Sequence, residues 1–566
     1  MKHSILLFCI LISTVIYAEN IDRDGYSLSH PVHGAEPERI IDGKYSITPT
    51  SPPSDPRMCA EWESATALII RYPLGLPWTM IETAAEEIEI LCIVSSFYLS
   101  SAESDFSSHS ISKVRFIVAD NNTFWMRDWG PWCVFDSTGA FGISDHVYNR
   151  ADTHDRTEDD QANWTIASDL SISQWKSQLR HTGGNFMTDG HGTGMSGDDV
   201  YYHTFNTDVG VDSVDALMNT YWGIDNYITF EDPLASYIDH IDCYAKFINE
   251  ETIILVENGT SDDANLDQLE IYLESRDNCF GRKYDVRRIN APSNNDAAYA
   301  NSIILNDRVF VPTTGYASED SAAIALYEEL MPGYEIIGIQ DPGGSIEFLP
   351  TDAIHCRSKA LYDSNMLYID HRSLDDQNST IYDYKVDVNI IPYSGEGLIP
   401  DSLRIYYRTS QMRDTVWQHE YLTYDSLNWY SGNIPSQPDS TVVEYYVTAT
   451  DSSLKRECDP YPAPAGFYTF LVNENMQMIN EERFIEDEVV SGDIRVHFGK
   501  NNIHLSHSDE HISYIIYNTA GMRVLSKSGL LSDKVNINLN GVKSGIYFIH
   551  ISTEHNVISE KFILMK

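Results

Sequence analysis

The sequence predicts an α/β body followed by two small all-β modules. Three observations carry that expectation: a strand, strand, helix, strand order that recurs between Ala60 and Ile339, the loss of helical spacing beyond about Leu374, and a composition able to fill several cores. The chain has 566 residues, 42% of them hydrophobic, with 35 Tyr, 20 Phe and 10 Trp. It is too long for one ordinary domain and too aromatic for a disordered polyanion.

Met1-Lys2-His3, the apolar run Ile5 to Ile16 and the exit Tyr17-Ala18-Glu19 read as a secretory leader over residues 1–18, cut after Ala18. The run is short of the roughly 20 apolar residues a membrane span needs, and no other stretch is long enough to span. A polar, prosegment-like stretch over 19–56 ends in Pro49-Thr50-Ser51-Pro52-Pro53-Ser54-Asp55-Pro56, an extended linker.

The α/β body is expected over 57–373. Its clearest unit runs Ser302 to Leu305, the turn Asn306-Asp307, Val309 to Pro312, a helix from about Ser321 to Leu330 and a strand Glu335 to Ile339. Ala323, Ile324, Tyr327 and Leu330 share one helical face, and Pro332-Gly333 stops the helix. A second copy has strands Ala245 to Ile248 and Thr252 to Val256, a helix near Leu266 to Leu273 and a strand Tyr284 to Ile289. A third has the strand Thr66 to Arg71, a helix Thr79 to Leu91 and the strand Val114 to Val118. Such stacked units make one α/β body.

Over 374–475 the runs Lys385 to Pro392, Leu403 to Arg408 and Val442 to Ala449 alternate with period 2 and read as an immunoglobulin-type β-sandwich. Residues 476–490 form a polar, acidic linker. The module 491–566 is again all strand, with Ile512 to Tyr517, the turn Asn518-Thr519-Ala520-Gly521, Met522 to Leu525 and Gly545 to Ile549.

Net charge is −46, from 38 Lys and Arg against 84 Asp and Glu. That argues against phosphate-backbone binding and an anionic-membrane footprint, and for cationic ligands. Loss of the leader removes Cys9 and leaves seven cysteines, at 59, 92, 133, 243, 279, 356 and 458. Seven is odd, so at least one thiol stays free or pairs between chains. No C-x-x-C pair supports a zinc ribbon or a thioredoxin-like site.

Three clusters can do chemistry. Trp125-Met126-Arg127-Asp128-Trp129-Gly130-Pro131-Trp132 interleaves charges with large aromatics, though a core strand end with a structural Arg-Asp pair has the same appearance. In Asp239-His240-Ile241-Asp242, His240 and Asp242 share a face if the segment is extended; a surface strand would read alike. Cys356 in Ala353-Ile354-His355-Cys356-Arg357-Ser358-Lys359 lies among basic neighbours, a setting that favours thiolate, unless it is an inert buried thiol. The Asp189 to Asp199 loop offers oxygens for a structural Ca²⁺ but matches no metal signature closely, and a flexible turn set is the favoured reading.

A thiol, an imidazole and two or more carboxylates are the parts for Cys/His chemistry on a cationic electrophile. From about Cys59 to Tyr368 the chain resembles the bacterial peptidylarginine deiminase and agmatine deiminase family. The resemblance rests on Trp125-Met126-Arg127-Asp128, Thr182-Gly183-Gly184-Asn185, Asp239-His240-Ile241-Asp242 with Lys246-Phe247, Tyr299-Ala300-Asn301-Ser302 and Ile354-His355-Cys356, in that order. It implies a five-bladed α/β propeller of ββαβ units. It also implies Cys356 as nucleophile, His240 as general acid and base, Asp128 and Asp242 as guanidinium-binding carboxylates, Asn301 as supporting amide and Trp125 against the substrate's aliphatic stem. No metal or organic cofactor is implied.

Physical reasoning agrees: two carboxylates can hold a planar guanidinium by its edges and leave its carbon open to attack. The peptidylarginine branch follows a motif like Tyr148-Asn149-Arg150 with a second arginine that helps grip a terminal carboxylate. Here Arg150 is followed at that place by Asp152, which would repel such a carboxylate. Thr182 looks more like the peptidylarginine branch than the agmatine branch, which has an acidic residue before the two glycines.

Tyr517-Asn518-Thr519-Ala520-Gly521, Gly545-Ile546-Tyr547-Phe548-Ile549 and the Lys-ended last strand resemble the sorting domain of the type IX secretion system. This implies that machinery as a partner and delivery to the cell surface or medium through the periplasm. The expectation is a secreted deiminase for arginine in peptides or proteins. Alternatives are a deiminase of agmatine or another small guanidine, and a non-catalytic surface protein that binds cationic peptides.

Overall fold

Within each repeat an antiparallel strand pair is followed by a helix that returns the chain parallel to the second strand. Ala245–Phe247 pairs antiparallel with Thr252–Glu257. Asn249 closes the turn, its side-chain oxygen accepting the Glu251 and Thr252 N–H groups at 2.9 and 2.8 Å. The helix Asp263–Glu274 then leads to Asp285–Asn290, parallel to Thr252–Glu257. Ile303–Leu305, Arg308–Thr313, the helix Ala317–Leu330 and Glu335–Gln340 repeat the pattern.

The computed structural model describes residues 47–564 apart from 152–153, 155, 203–205, 207–209, 235–237, 258–262, 291–298, 410–415, 475–487 and short turns within 492–556. The expected leader, most of the polar stretch after it and Asp152 lie outside the described residues.

Five mixed sheets of this kind make up the α/β body. One contains Arg57–Met58, Cys133–Phe135, Phe141–Tyr148 and Ser173–His181. A second contains Met187–Thr188, Thr193–Gly197 and Asn226–Phe230. Another joins the two ends of the body: Lys359–Tyr362 pairs antiparallel with Ala65–Tyr72, which continues in parallel to Glu89–Val94 and Val114–Val118.

In that last unit the sequence reading overran. The helix expected to reach Leu91 ends at Glu87, and Glu89–Val94 is a buried parallel strand. An extra helix, Leu99–Ser108, follows it. The run Ile-Glu-Ile-Leu-Cys-Ile-Val is β-branched and apolar on both faces, a pattern that periodicity alone does not separate from a buried helix.

The chain leaves the body through Leu367–Asp370, which pairs with Tyr384–Pro392 in a two-sheet sandwich. Alternating burial along Tyr384–Pro392 packs Val386, Val388 and Ile390 against Ile405, Val443, Val447 and Phe470. The last unit is a separate all-β body with two four-stranded sheets around Val496, Ile503, Ile516, Ile537 and Ile549. Its strand Glu488–Ser491 begins inside the span read as linker. Among the described residues no helix is long and apolar enough to cross a membrane.

Candidate active site

The repeat explains how distant residues meet. Asp128 precedes the strand Cys133–Phe135, Gly184 precedes Met187–Thr188, Asp242 precedes Ala245–Phe247, Asn301 precedes Ile303–Leu305 and Cys356 precedes Lys359–Tyr362. Each lies just ahead of the antiparallel pair of a different sheet, and the five equivalent loops touch one another.

Asn301 fastens the pocket together. Its side-chain oxygen accepts the backbone N–H groups of Ala353, His355 and Cys356 at 3.2, 3.0 and 3.3 Å. Its amide nitrogen donates to the Asp242 carbonyl at 3.1 Å and to Cys356 Sγ at 3.2 Å. Replacing such an amide would strand several buried polar groups at once. The Cys356 thiol in turn lies 3.5 Å from Asp242 Oδ2 and 3.6 Å from the Thr351 carbonyl.

The segment carrying Asp128 is a single helical turn, Met126–Trp129, rather than a strand end. It is tied to the thiol segment by Arg127 N–H donating to the Cys356 carbonyl at 2.9 Å. Nor is His240 to Asp242 extended: His240 itself is, but Ile241–Cys243 forms a 3₁₀ turn. That turn still brings both side chains inward, with His240 Nδ1 3.6 Å from Asp128 Oδ1. The two glycines are required here. A Cβ on Gly184 would fall 2.4 Å from His240 Nδ1, and one on Gly183 would fall 2.1 Å from the Arg127 carbonyl oxygen.

Trp125 is buried and packs with Phe124 and Cys356, with Ile346 against the cluster. The Arg156 guanidinium stands 5.0 Å over the Trp125 ring. Burial raises both Asp128 and Asp199 to about 8, and the charge of Arg150 offsets part of that rise.

Electrostatics correct the expectation drawn for the cysteine. Burial, followed by the carboxylates of Asp242, Asp352 and Asp128, pushes the Cys356 thiol well above its ordinary value. Its basic sequence neighbours are used elsewhere. Arg357 makes a two-pronged pair with Asp352 at 2.7 Å per contact and also bonds the carbonyls of Gly75, Ile346 and Glu347. Burial, then Arg127, brings Lys359 down to about 7, and it sits beside Cys133 and Glu61. His355 is held between Asp242 and Glu61. Proximity in sequence therefore misreported the field at sulfur.

Burial, then Asp242, lifts Asp128 to about 8. Burial also raises Asp242, but the His355 hydrogen bond with the charges of His355, His240 and Arg127 outweighs it and leaves this carboxyl below its usual range.

All seven cysteines from Cys59 to Cys458 are free thiols, so their odd number marks out no one of them. In the loop considered for Ca²⁺, Asp189 Oδ1 accepts the His191 and Thr193 N–H groups at 2.8 and 3.0 Å, closing a hairpin turn. Among the described residues no group of three or more His, Cys, Asp or Glu is placed to hold a metal ion. The contacts of Glu61 and Asp352, and those of the His355 ring, are not announced by the sequence. Their partners lie up to 294 residues away, and no local spacing announces them.

Comparison with known proteins gives the same direction. A Shewanella baltica protein provisionally named agmatine deiminase is 24% identical over 297 residues, covering 46% of this chain and 78% of the relative. A solved structure of another protein provisionally named agmatine deiminase aligns with a TM-score of 0.51 at 16% identity, over 55% of this chain and 98% of its own, which shows a shared fold. The Enterococcus faecalis agmatine deiminase structure aligns at 0.49 and 17%, over 55% and 96%. Residues 499–565 match the secretion system C-terminal sorting domain. Residues 57–359 match the Porphyromonas-type peptidyl-arginine deiminase, so the chain belongs to that family and is a hydrolase of guanidine C–N bonds.

Proposed function

We propose that the protein deiminates arginine in peptides or proteins to citrulline, releasing ammonia, through a thiouronium intermediate on Cys356. One observation carries the reading: Cys356 lies against Asn301 and Asp242, and His240 against Asp128, all of them buried, so that a thiol, an imidazole and two carboxylates are gathered where a cation between the two acids would be held. Asp128 and Asp242 take the guanidinium edges. The arriving charge reverses the field at Sγ, so a thiol that keeps its proton in the substrate-free protein can lose it to solvent once the substrate is bound. Sulfur adds to the guanidinium carbon, and protonated His240 gives its proton to the departing ammonia. Neutral His240 then takes a proton from water, whose oxygen adds to the thiouronium carbon; collapse expels sulfur, which leaves with the hydroxyl proton as the thiol, and frees the ureido product.

Asn301 supports sulfur, and Trp125 lies where the aliphatic stem of the substrate would run. Arg150, beside Asp128, is assigned to substrate binding, and the carboxylate of Asp152 weighs against a preference for C-terminal arginine. The five sheets and their equivalent loops favour a five-bladed propeller. The sorting domain favours release to the surface or medium. A small guanidine such as agmatine is the second reading, favoured by the names of the relatives.

Ammonia and ureido product would be measured from agmatine, free arginine, and peptides with internal or C-terminal arginine, with wild type and Cys356→Ala. Turnover of internal peptidyl arginine, lost in Cys356→Ala, is expected. Turnover of agmatine alone would overturn the peptidyl assignment, and equal inactivity of both proteins on every guanidine would overturn catalysis by this site. An improved ratio of C-terminal to internal turnover in Asp152→Arg is expected; an unchanged ratio sinks the repulsion argument.

A further inference from the structure

The two aspartates of the pocket are alike in type and burial but not in what stands behind them. Asp242 Oδ2 is 2.7 Å from His355 Nδ1, and His355 Nε2 is 2.8 Å from Glu61 Oε2. Glu61 is held in turn by Lys246, by Arg127 at 3.2 Å and by the Ile304 N–H at 2.9 Å. The charged groups facing His355 are therefore Asp242 and Glu61 on its ring nitrogens, with Arg127 and Lys246 behind Glu61.

The backbone of His355 is fixed as firmly as its ring. Its N–H donates to the Asn301 side chain at 3.0 Å, and its carbonyl accepts from Arg127 Nε at 3.2 Å. The Cys356 thiol turns toward Asn301 and Asp242, while the ring of His355, one residue earlier, lies between Asp242 and Glu61. The same short segment thus sets both the thiol and the orientation of the carboxylate 3.5 Å from it.

We propose that His355 is a positioning residue for guanidine hydrolysis: with Glu61 behind it, it forms a relay that holds the Asp242 carboxylate in one orientation beside Cys356. This rests on the deiminase reading of the pocket. A pocket that binds one cation between two acids gains from keeping one of them charged before the substrate arrives, because two unsupported buried carboxylates would share a proton. His355 selects Asp242 for that part. Both ring nitrogens point at carboxylate oxygens, so the imidazole cannot rotate without breaking two short contacts. Glu61, Lys246 and Arg127 contribute through His355 and need not touch the substrate.

The test uses the full chain with His355→Ala, His355→Asn and Glu61→Gln, each checked for a wild-type circular dichroism spectrum. Ammonia release is followed across pH on whichever guanidine the wild type turns over. His355→Ala should lower kcat/KM roughly 10- to 100-fold, the effect of losing one hydrogen bond to a buried charge. With Asp128 setting the upper inflection of the acid limb near 8, the lower inflection should move up by about one to two pH units as Asp242 loses its donor. His355→Asn, whose amide can occupy the Nδ1 position, should recover most of the lost kcat/KM, and Glu61→Gln should shift the limb in the same direction by less. An acid limb unmoved in His355→Ala, or Asn and Ala equally impaired with wild-type pH profiles, would overturn the relay while leaving the deiminase reading intact. If His355→Ala does not fold, an unshifted limb in Glu61→Gln overturns it. A wild type inactive on every guanidine, with Cys356→Ala no different, removes the reading and the relay together.

Discussion

Gly184 lies against His240 so closely that an added Cβ would stand 2.4 Å from the ring Nδ1 and 2.6 Å from Asp128 Oδ1. The smallest substitution therefore enters the space where the imidazole and carboxylate meet. Gly184→Ala is expected to cut kcat/KM by about 100-fold, because ångström-scale misplacement of reacting groups costs roughly that much. The circular dichroism spectrum should stay unchanged. Near-wild-type kinetics in this variant would mean that His240 is not held as described.

The field at Cys356 makes a second prediction. Since Asp242 and Asp128 both oppose ionisation of the thiol, neutralising either should make the empty protein alkylate at lower pH. Iodoacetamide labelling of Cys356, followed by peptide mass spectrometry across pH, should show midpoints shifted down by about one unit or more in Asp242→Asn and Asp128→Asn. Unshifted midpoints would show that the carboxylates do not govern the thiol.

Asp128 gives a pH dependence whose sign can be fixed. Burial, then repulsion from Asp242 and Asp352, raises it to about 8, against roughly 4 in an unfolded chain. A carboxyl raised in the fold contributes stability that is full at low pH and is lost as pH rises through the folded value. The empty protein should therefore lose stability between about pH 4 and 8 on this account. Asp128→Asn should abolish that loss and raise the thermal midpoint at pH 8 by about 2 °C or more. Substrate binding asks for the opposite state, so wild-type KM should fall as pH rises toward about 8 and then level off. A flat KM over that range would count against Asp128 as a cation contact.

Arg357 and Asp352 are a fully buried pair whose arginine also braces three carbonyls of the surrounding loops. Removing one partner leaves an uncompensated charge, so Arg357→Met should cost about 3–5 kcal/mol in a urea titration. Pairing it with Asp352→Leu should restore much of that loss while activity stays low, since Ile346 and Glu347 lose their brace. A single variant as stable as wild type would show that the pair does not hold this loop.

The order of elements was legible because local chemistry writes it. Alternation and turn residues placed Arg308–Thr313, Thr252–Glu257 and Tyr384–Pro392 within a residue or two of where they lie. The failure at Glu89–Val94 came where both faces of a strand are buried and alternation vanishes. The candidate site was legible only in part. Cys356, His240, Asp128, Asp242 and Asn301 stood out as an ordered set of motifs, and the structure brings them together. The charge state of Cys356 did not, because the groups acting on sulfur come from other loops while adjacent Arg357 is turned toward Asp352. Glu61 carries no motif, and its use depends on a fold contact across 294 residues.

The pairing of Lys359–Tyr362 with Ala65–Tyr72 has a consequence for timing. Cys356 lies just before the strand Lys359–Tyr362, and its supports come from the earlier loops of Arg127, Asp242 and Asn301, so a growing chain holds a thiol with no assembled site around it. Contacts so distant in sequence also form late. Guanidine hydrolysis is thus withheld until the α/β body is complete, and no separate inhibitor is needed to keep a half-made enzyme silent.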